Sequence, residues 1–282
     1  MSEPVEPTPT EPPEPGAAPD ASASDTAPPP RPALRAASRW GTIVLVFALL
    51  AGGVAYGVTQ SERDDVPGLA TESDGRWDYP RLKLPALPSG SPRPFTKGNP
   101  ARIHHADIRD LLLPAPRGAK ADKALPDIDG GWVSEEDYLS VYVESERPTI
   151  QQRMADSAPR HIAARGWTMP DGTRTRIYLL RFNTGAYPKD LYVDGVTTGM
   201  GALMPLRGAE NAVPDKGWPK DAKVPNVRRH AYDEEAPRGK EHHRQAYLVA
   251  GDTLALIVQS RPGTARKVPF QQTVILQSQL LG

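Results

Sequence analysis

The chain has 282 residues and lacks cysteine altogether. That absence excludes disulfides, thiolate nucleophiles and cysteine metal ligands. An extracytoplasmic domain built from it must therefore hold together through its core. It also excludes the lipid-modified cysteine of a bacterial lipoprotein. Net charge is missing as well: 34 basic residues balance 34 acidic ones. A near-neutral chain gives no electrostatic case for nucleic acid or for anionic lipid. No G-x-S-x-G, H-E-x-x-H or phosphate-loop signature occurs anywhere in it.

Charged residues are absent most conspicuously between Trp40 and Gln60. The segment Gly41 to Thr59, GTIVLVFALLAGGVAYGVT, is uncharged and close to the ~20 residues that cross a bilayer as a helix. Trp40 and Tyr56 stand near its ends, as interfacial aromatics do. Arg31, Arg35 and Arg39 precede it, and Glu62, Arg63, Asp64 and Asp65 follow it. The positive-inside rule then predicts a cytoplasmic N-terminus and an extracytoplasmic C-terminal domain. A cleaved signal peptide ending near Gly53-Val54-Ala55 is the alternative. The long, proline-rich, net acidic stretch before the apolar run argues against it. Gly53 and Gly57 form a GxxxG pair, the spacing for a weak helix–helix dimer.

Residues 1–39 hold eleven prolines and almost no large apolar side chain, a composition that predicts a disordered cytoplasmic tail. Pro28-Pro29-Pro30-Arg31-Pro32 is a candidate polyproline ligand within it. Residues 40–60 are the predicted transmembrane helix. Residues 61–100, rich in proline and glycine, read as a stalk, with Tyr79 to Pro85 as a candidate edge strand. Residues 101–282 read as the folded domain.

Within that domain the apolar spacing predicts helices over Ile103 to Leu113, from a Ser134 capping box through Val141, over Thr149 to Ala164 with Pro159 bending or splitting it, over Pro188 to Val196, and over Lys267 to Leu281. Two hairpins are predicted. One turns at Asp171-Gly172 and places Trp167 opposite Arg176, a surface cation–π pair. The other turns at Gly251-Asp252 and pairs Val249 with Leu254, Tyr247 with Leu256, and Gln245 with Val258. The run Ile177-Tyr178-Leu179-Leu180 is apolar on both faces, which predicts a central strand. In this register Leu256 belongs to a bulky face, and Thr253, on the other, should tolerate truncation. Val224 to Tyr232 is a further strand candidate. The mixture predicts an α+β fold: an antiparallel meander sheet with helices on one face.

Chemistry is sparse. His104-His105 and His242-His243 are adjacent pairs, and neighbours on a strand point to opposite faces, so a shared metal is not expected. They read as surface histidines, or with one member packed. Glu135-Glu136-Asp137 reads as a helix start and Asp233-Glu234-Glu235 as a polar loop. Gly195, Gly199 and Gly201 read as a helix breaker. No catalytic, cofactor-binding or metal-binding residue is assigned.

The stretches Asp110-Leu111-Leu112-Leu113-Pro114-Ala115-Pro116-Arg117-Gly118-Ala119 and Ala164-Arg165-Gly166-Trp167, followed by Asp171-Gly172-Thr173, resemble those of uncharacterised actinobacterial single-pass membrane proteins. The final hairpin and helix are distantly similar to extracytoplasmic sensor domains of bacterial serine/threonine kinases. The resemblance implies an extracytoplasmic α+β domain and no particular reaction. The expectation is a membrane-anchored binding or sensing module of the cell envelope, with a protein, cell-wall or small-molecule ligand. Its alternatives are a structural or assembly component acting through helix and tail, and an envelope enzyme.

Overall fold

The computed structural model describes residues 32–60, 73–125, 131–192, 197–198, 201–202, 204–235, 237 and 239–282. It divides the chain into two compact units, Met1–Glu72 and Ser73–Gly282. The first consists, among the described residues, of one helix, α1 (Pro32–Gln60). The helix starts eight residues before the expected boundary at 40. Residues 1–31 of the expected tail lie outside the described residues. The apolar side chains described in α1 are exposed, among them Trp40, Val44, Phe47, Leu49 and Tyr56. Among the described residues no helix is long and apolar enough to cross a membrane. Side chains are described from Trp40 to Gly53 and at Tyr56, so the uncharged run extends past them.

The second unit is α+β. Its antiparallel sheet comprises β1 (Lys120–Ala121), β2 (Gly131–Trp132), β3 (His161–Thr168), β4 (Arg174–Arg181), β7 (Ala212–Pro214), β8 (Arg228–Glu234), β9 (Glu241–Ala250) and β10 (Thr253–Pro262). The short strands β5 (Thr197–Thr198) and β6 (Gly201–Ala202) pair with each other. The order across the large sheet is β1-β3-β4-β10-β9-β8-β7, with β2 also on β3. This corrects a simple meander. Strands β7 to β10 do follow one another, but β10 closes onto β4, which belongs to an earlier hairpin.

The β9–β10 register is the expected one, with Leu254 opposite Val249, Leu256 opposite Tyr247 and Val258 opposite Gln245. Gly251 takes φ +52°, the positive value that a tight turn demands of its first central residue and that glycine supplies without strain. The β3–β4 hairpin differs from expectation by one residue. Its turn is the three-residue Pro170-Asp171-Gly172: Met169 N–H donates to the Thr173 carbonyl at 2.8 Å, and Gly172 N–H to that of Met169 at 3.0 Å. Trp167 therefore pairs with Thr175, and Arg176 with Gly166. The one-residue slip puts Trp167 and Arg176 on opposite faces.

Helices cover both faces, not one. One face carries Ile162, Tyr178, Leu180, Tyr247 and Leu256 beneath residues of α2 (Glu135–Leu139) and α3 (Arg147–Ser157). The other carries Trp167, Ile177, Leu179, Leu248 and Ile257 against α5 (Lys267–Leu281) and a 3₁₀ turn at Ile108–Leu111. Covering on both sides is what the doubly apolar sequence of β4 requires.

The Ser134 capping box is present, with Ser134 and Asp137 bonded reciprocally, and α5 has its expected bounds. Three helix expectations change. Ile103 to Leu113 forms only the short 3₁₀ turn, capped by Asp107. The helix predicted to reach Ala164 stops at Ser157. Ala158 takes the left-handed conformation before Pro159, a position where the proline ring disfavours helix, and the chain from His161 joins the sheet. The fourth helix, α4, spans Ala186–Asp190, and Val193 to Val196 lie outside the described residues.

The expected stalk also changes. Residues 73–100 belong to the second unit, where Trp77, Tyr79, Leu82, Leu87 and Phe95 pack against the α5 face. Gln272 bonds the Trp77 backbone from both amide atoms, at 2.8 and 2.9 Å. The Tyr79 hydroxyl lies 2.8 Å from that of Thr273. Residues 61–72 lie outside the described residues.

Candidate ligand-binding cleft

Three central strands change character along a shared line. On the face toward α2 and α3, β4 presents Leu180 and Tyr178, then Arg176 and Arg174. Strand β10 presents Leu254 and Leu256, then Val258 and Ser260. Strand β9 presents Val249 and Tyr247, then Gln245, His243 and Glu241. The cross-strand pairs keep these rows level: Tyr178 opposite Leu256 and Leu256 opposite Tyr247, then Arg174 opposite Ser260 and Ser260 opposite His243. Because side chains alternate with a period of two, the apolar core and the polar patch are consecutive stretches of a single sheet face.

The patch is walled into a cleft. Leu206 bridges Tyr142, and Arg207 N–H donates to the Val141 carbonyl at 2.9 Å. This holds the 206–208 segment over the sheet. Gly208 has φ +86°, and a Cβ there would sit 3.1 Å from His243 Cε1, so glycine lets the backbone close on the imidazole. The resulting cavity has a volume of about 220 Å³. Val141, Leu206 and Val258 make its apolar wall, and Arg174, Arg176, Arg207, Glu241, His243 and Ser260 make its polar one.

The charges are unevenly satisfied. Arg176 Nε donates to Asp122 Oδ2 at 2.6 Å. Burial opposes the Asp122 charge, but the Arg176 bond and the Ala124 N–H outweigh it and hold the carboxyl below its usual range. Burial likewise opposes the Arg176 charge and is outweighed by Asp122 together with the Tyr178 hydroxyl. Among the described residues the carboxylate nearest Arg174 is Glu241, at 3.9 Å, and Arg174 also adds to the field that lowers Asp122. The exposed Arg207 side chain has no acidic partner among the described residues. His243 is fixed by Glu234, whose Oε2 lies 3.0 Å from its backbone N–H and 3.3 Å from Nδ1. Ser260 faces His243 across the ladder, but no hydrogen bond joins their side chains. Glu234, His243 and Ser260 thus lack the base-to-nucleophile link of a catalytic triad. What the cleft has in excess is hydrogen-bond donors with positive charge, the requirement for holding an anion.

Most residues singled out by sequence lie elsewhere. His104 is buried, not on the surface. Its Nδ1 lies 2.6 Å from Asp252 Oδ1 and its Nε2 donates to the Leu281 carbonyl at 2.9 Å. It clamps the β9–β10 turn to the end of α5, and both ring nitrogens are engaged. It also lines a mostly apolar cavity of about 170 Å³ beside Leu84, Leu87 and Phe95. His242 is buried too, 2.9 Å from Asp233 and accepting from Ala265 N–H at 3.0 Å. Asp233 and Glu234, read as loop, end strand β8. Trp167 is fully buried against the Tyr79 ring, not a surface partner of Arg176. Gly195 and Gly199 lie outside the described residues, and Gly201 begins β6. Among the described residues no cluster of three or more histidine, aspartate or glutamate side chains could hold a metal ion.

Arg174, Arg176, Arg207 and Ser260 were missed by sequence reasoning. A signal existed for two of them: Arg174 and Arg176 share the parity of Tyr178 and Leu180. Arg207 comes from a loop whose approach to the sheet no local pattern announces. No protein-family model and no curated protein matches the chain.

Proposed function

We propose that this chain is a membrane-anchored binding module of the cell envelope, which displays its α+β domain outside the cytoplasm and holds a small anionic ligand in the arginine cleft. The observation that carries the reading is the level change from apolar core to arginine patch across β4, β10 and β9. The walled cavity gathers these arginines around one space, where a bound anion meets several charged donors at once. The anchor rests on the uncharged run from Gly41 to Thr59, the arginines before it, and the exposure of apolar side chains along α1. The resemblance to actinobacterial single-pass proteins agrees with this layout. Binding without turnover fits a cleft of donors in which no nucleophile meets a base.

Two experiments test the two halves. The first is a thermal melt of the detergent-solubilised full chain against phosphate, sulfate, citrate and succinate at constant ionic strength. It should show saturable stabilisation by at least one anion, amounting to about 2.7 kcal/mol at a hundred times Kd. Arg207→Gln should roughly halve that stabilisation at the same ligand concentration, as a tenfold weaker site does, while leaving the ligand-free melt unchanged. No anion-dependent shift would end the binding reading. The second is a phosphatase fusion after Gly282, which should be active only outside the cytoplasm. Activity of a cytoplasm-only reporter at that position would overturn the orientation.

A further inference from the structure

Resting on the reading of the cleft as an anion site, we infer that its ligand is a small phosphomonoester, and that Glu241 is the internal anion its phosphoryl group displaces. Donor number favours phosphoryl over carboxylate. Arg174 and Arg207 present planar forks without a close acceptor, and Arg176 adds its charge beside them, although Asp122 and Tyr178 already engage its guanidinium. Ser260 adds a hydroxyl. A carboxylate has two oxygens in one plane, too few for donors that approach from β4, from β10 and from the overlying 206–208 segment. A phosphoryl group offers three terminal oxygens arranged tetrahedrally and carries nearly two negative charges at neutral pH.

Cavity size favours an ester over the bare ion. At about 220 Å³ the cleft exceeds what a phosphate fills, and Val141, Leu206 and Val258 give the remainder an apolar wall. That wall suits the small organic body of an ester. Glu241 fits the role of resident counter-anion. It shares the β9 face with His243, and it lies 3.9 Å from Arg174, beyond hydrogen-bonding distance. It therefore offsets the Arg174 charge without locking the side chain, and an anion with better geometry takes its place.

The test is calorimetric titration of the detergent-solubilised full chain at fixed ionic strength. Three probes share one aromatic body: phenyl phosphate (a dianion with a tetrahedral head), phenyl sulfate (a monoanion of the same shape) and phenylacetate (a planar carboxylate). Phenyl phosphate should bind tightest, phenyl sulfate next and phenylacetate weakest. Arg207→Gln should weaken phenyl phosphate by about tenfold, and Glu241→Gln should tighten it several-fold. Phenylacetate binding as well as phenyl phosphate overturns the phosphomonoester assignment and leaves the anion-site reading standing. Failure of all three probes overturns both. Unchanged or weaker binding in Glu241→Gln overturns the displacement. A melt of Glu241→Gln matching that of the unsubstituted chain separates these results from misfolding.

Discussion

Leu256 and Thr253, three residues apart on β10, show how little their sequence positions say about cost. Leu256 is fully buried between Tyr178 and Tyr247, so Leu256→Ala should destabilise the domain by about 2–5 kcal/mol, read from urea melts. Thr253 was expected to tolerate truncation because it falls on the other face and beside a turn. It is fully buried, and its hydroxyl donates to Asp252 Oδ1 at 3.1 Å, the oxygen that also receives His104. Thr253→Ala should therefore cost about 1–3 kcal/mol, through one lost bond to a charged oxygen that keeps His104 and through the small cavity left at a fully buried site. A change under half a kcal/mol in the same melts would contradict the clamp. His104 and Asp252 lie far apart in the chain, and no local spacing joins them. Arg174 and Arg176 sit on one face by simple alternation, yet their role depends on Arg207 arriving from above.

Secondary-structure elements were legible where a local signal was complete. The Ser134 box, the bounds of α5 and the β9–β10 register all depend on contacts within a few residues, and each stands as read. The β3–β4 register failed because Pro170 adds a third residue to the turn, and one residue is enough to exchange the faces. Gly166 shows what that register now demands. A Cβ there would lie 3.2 Å from both the Thr175 carbonyl and Asp122 Cβ, and closer still to Leu125. Gly166→Ala should therefore destabilise the domain although it occupies a strand, where alanine is ordinarily the milder residue. Combining it with Leu125→Ala should recover less than the full loss, because the Thr175 carbonyl cannot move out of the way. Full recovery in a double-mutant cycle would place the strain in Leu125 alone. Shortening a cap is simpler: Ser134→Ala should cost α2 about 1 kcal/mol by the same melts.

At the scale of the whole molecule, the face under α2 and α3 buries a chain of phenols. The Tyr138 hydroxyl lies 2.8 Å from that of Tyr142, and Tyr247 donates to Tyr142 at 3.3 Å. Burial pushes all three phenols above their ordinary value of 10.0. Below pH 10 folded and unfolded chains alike keep these protons. Above it the unfolded chain releases them and the folded one does not, so stability falls as pH rises. Denaturant midpoints should drop steadily above pH 10, with phenolate absorbance appearing only as the domain unfolds. Phenolate signal from these three in the intact fold would contradict their burial. The seam between β4 and β10 carries a different consequence, one of timing. Each hairpin beside it closes through a short turn, but Leu180 meets Leu254 only after the intervening chain has been gathered in. The entropy of that closure falls on a single long-range event. The two hairpins should therefore collapse first, and the joining of their edges should set the folding rate. A ribosome that has not yet delivered β10 leaves β4 with an unpaired apolar edge. The nascent domain is most exposed to mispairing during that interval.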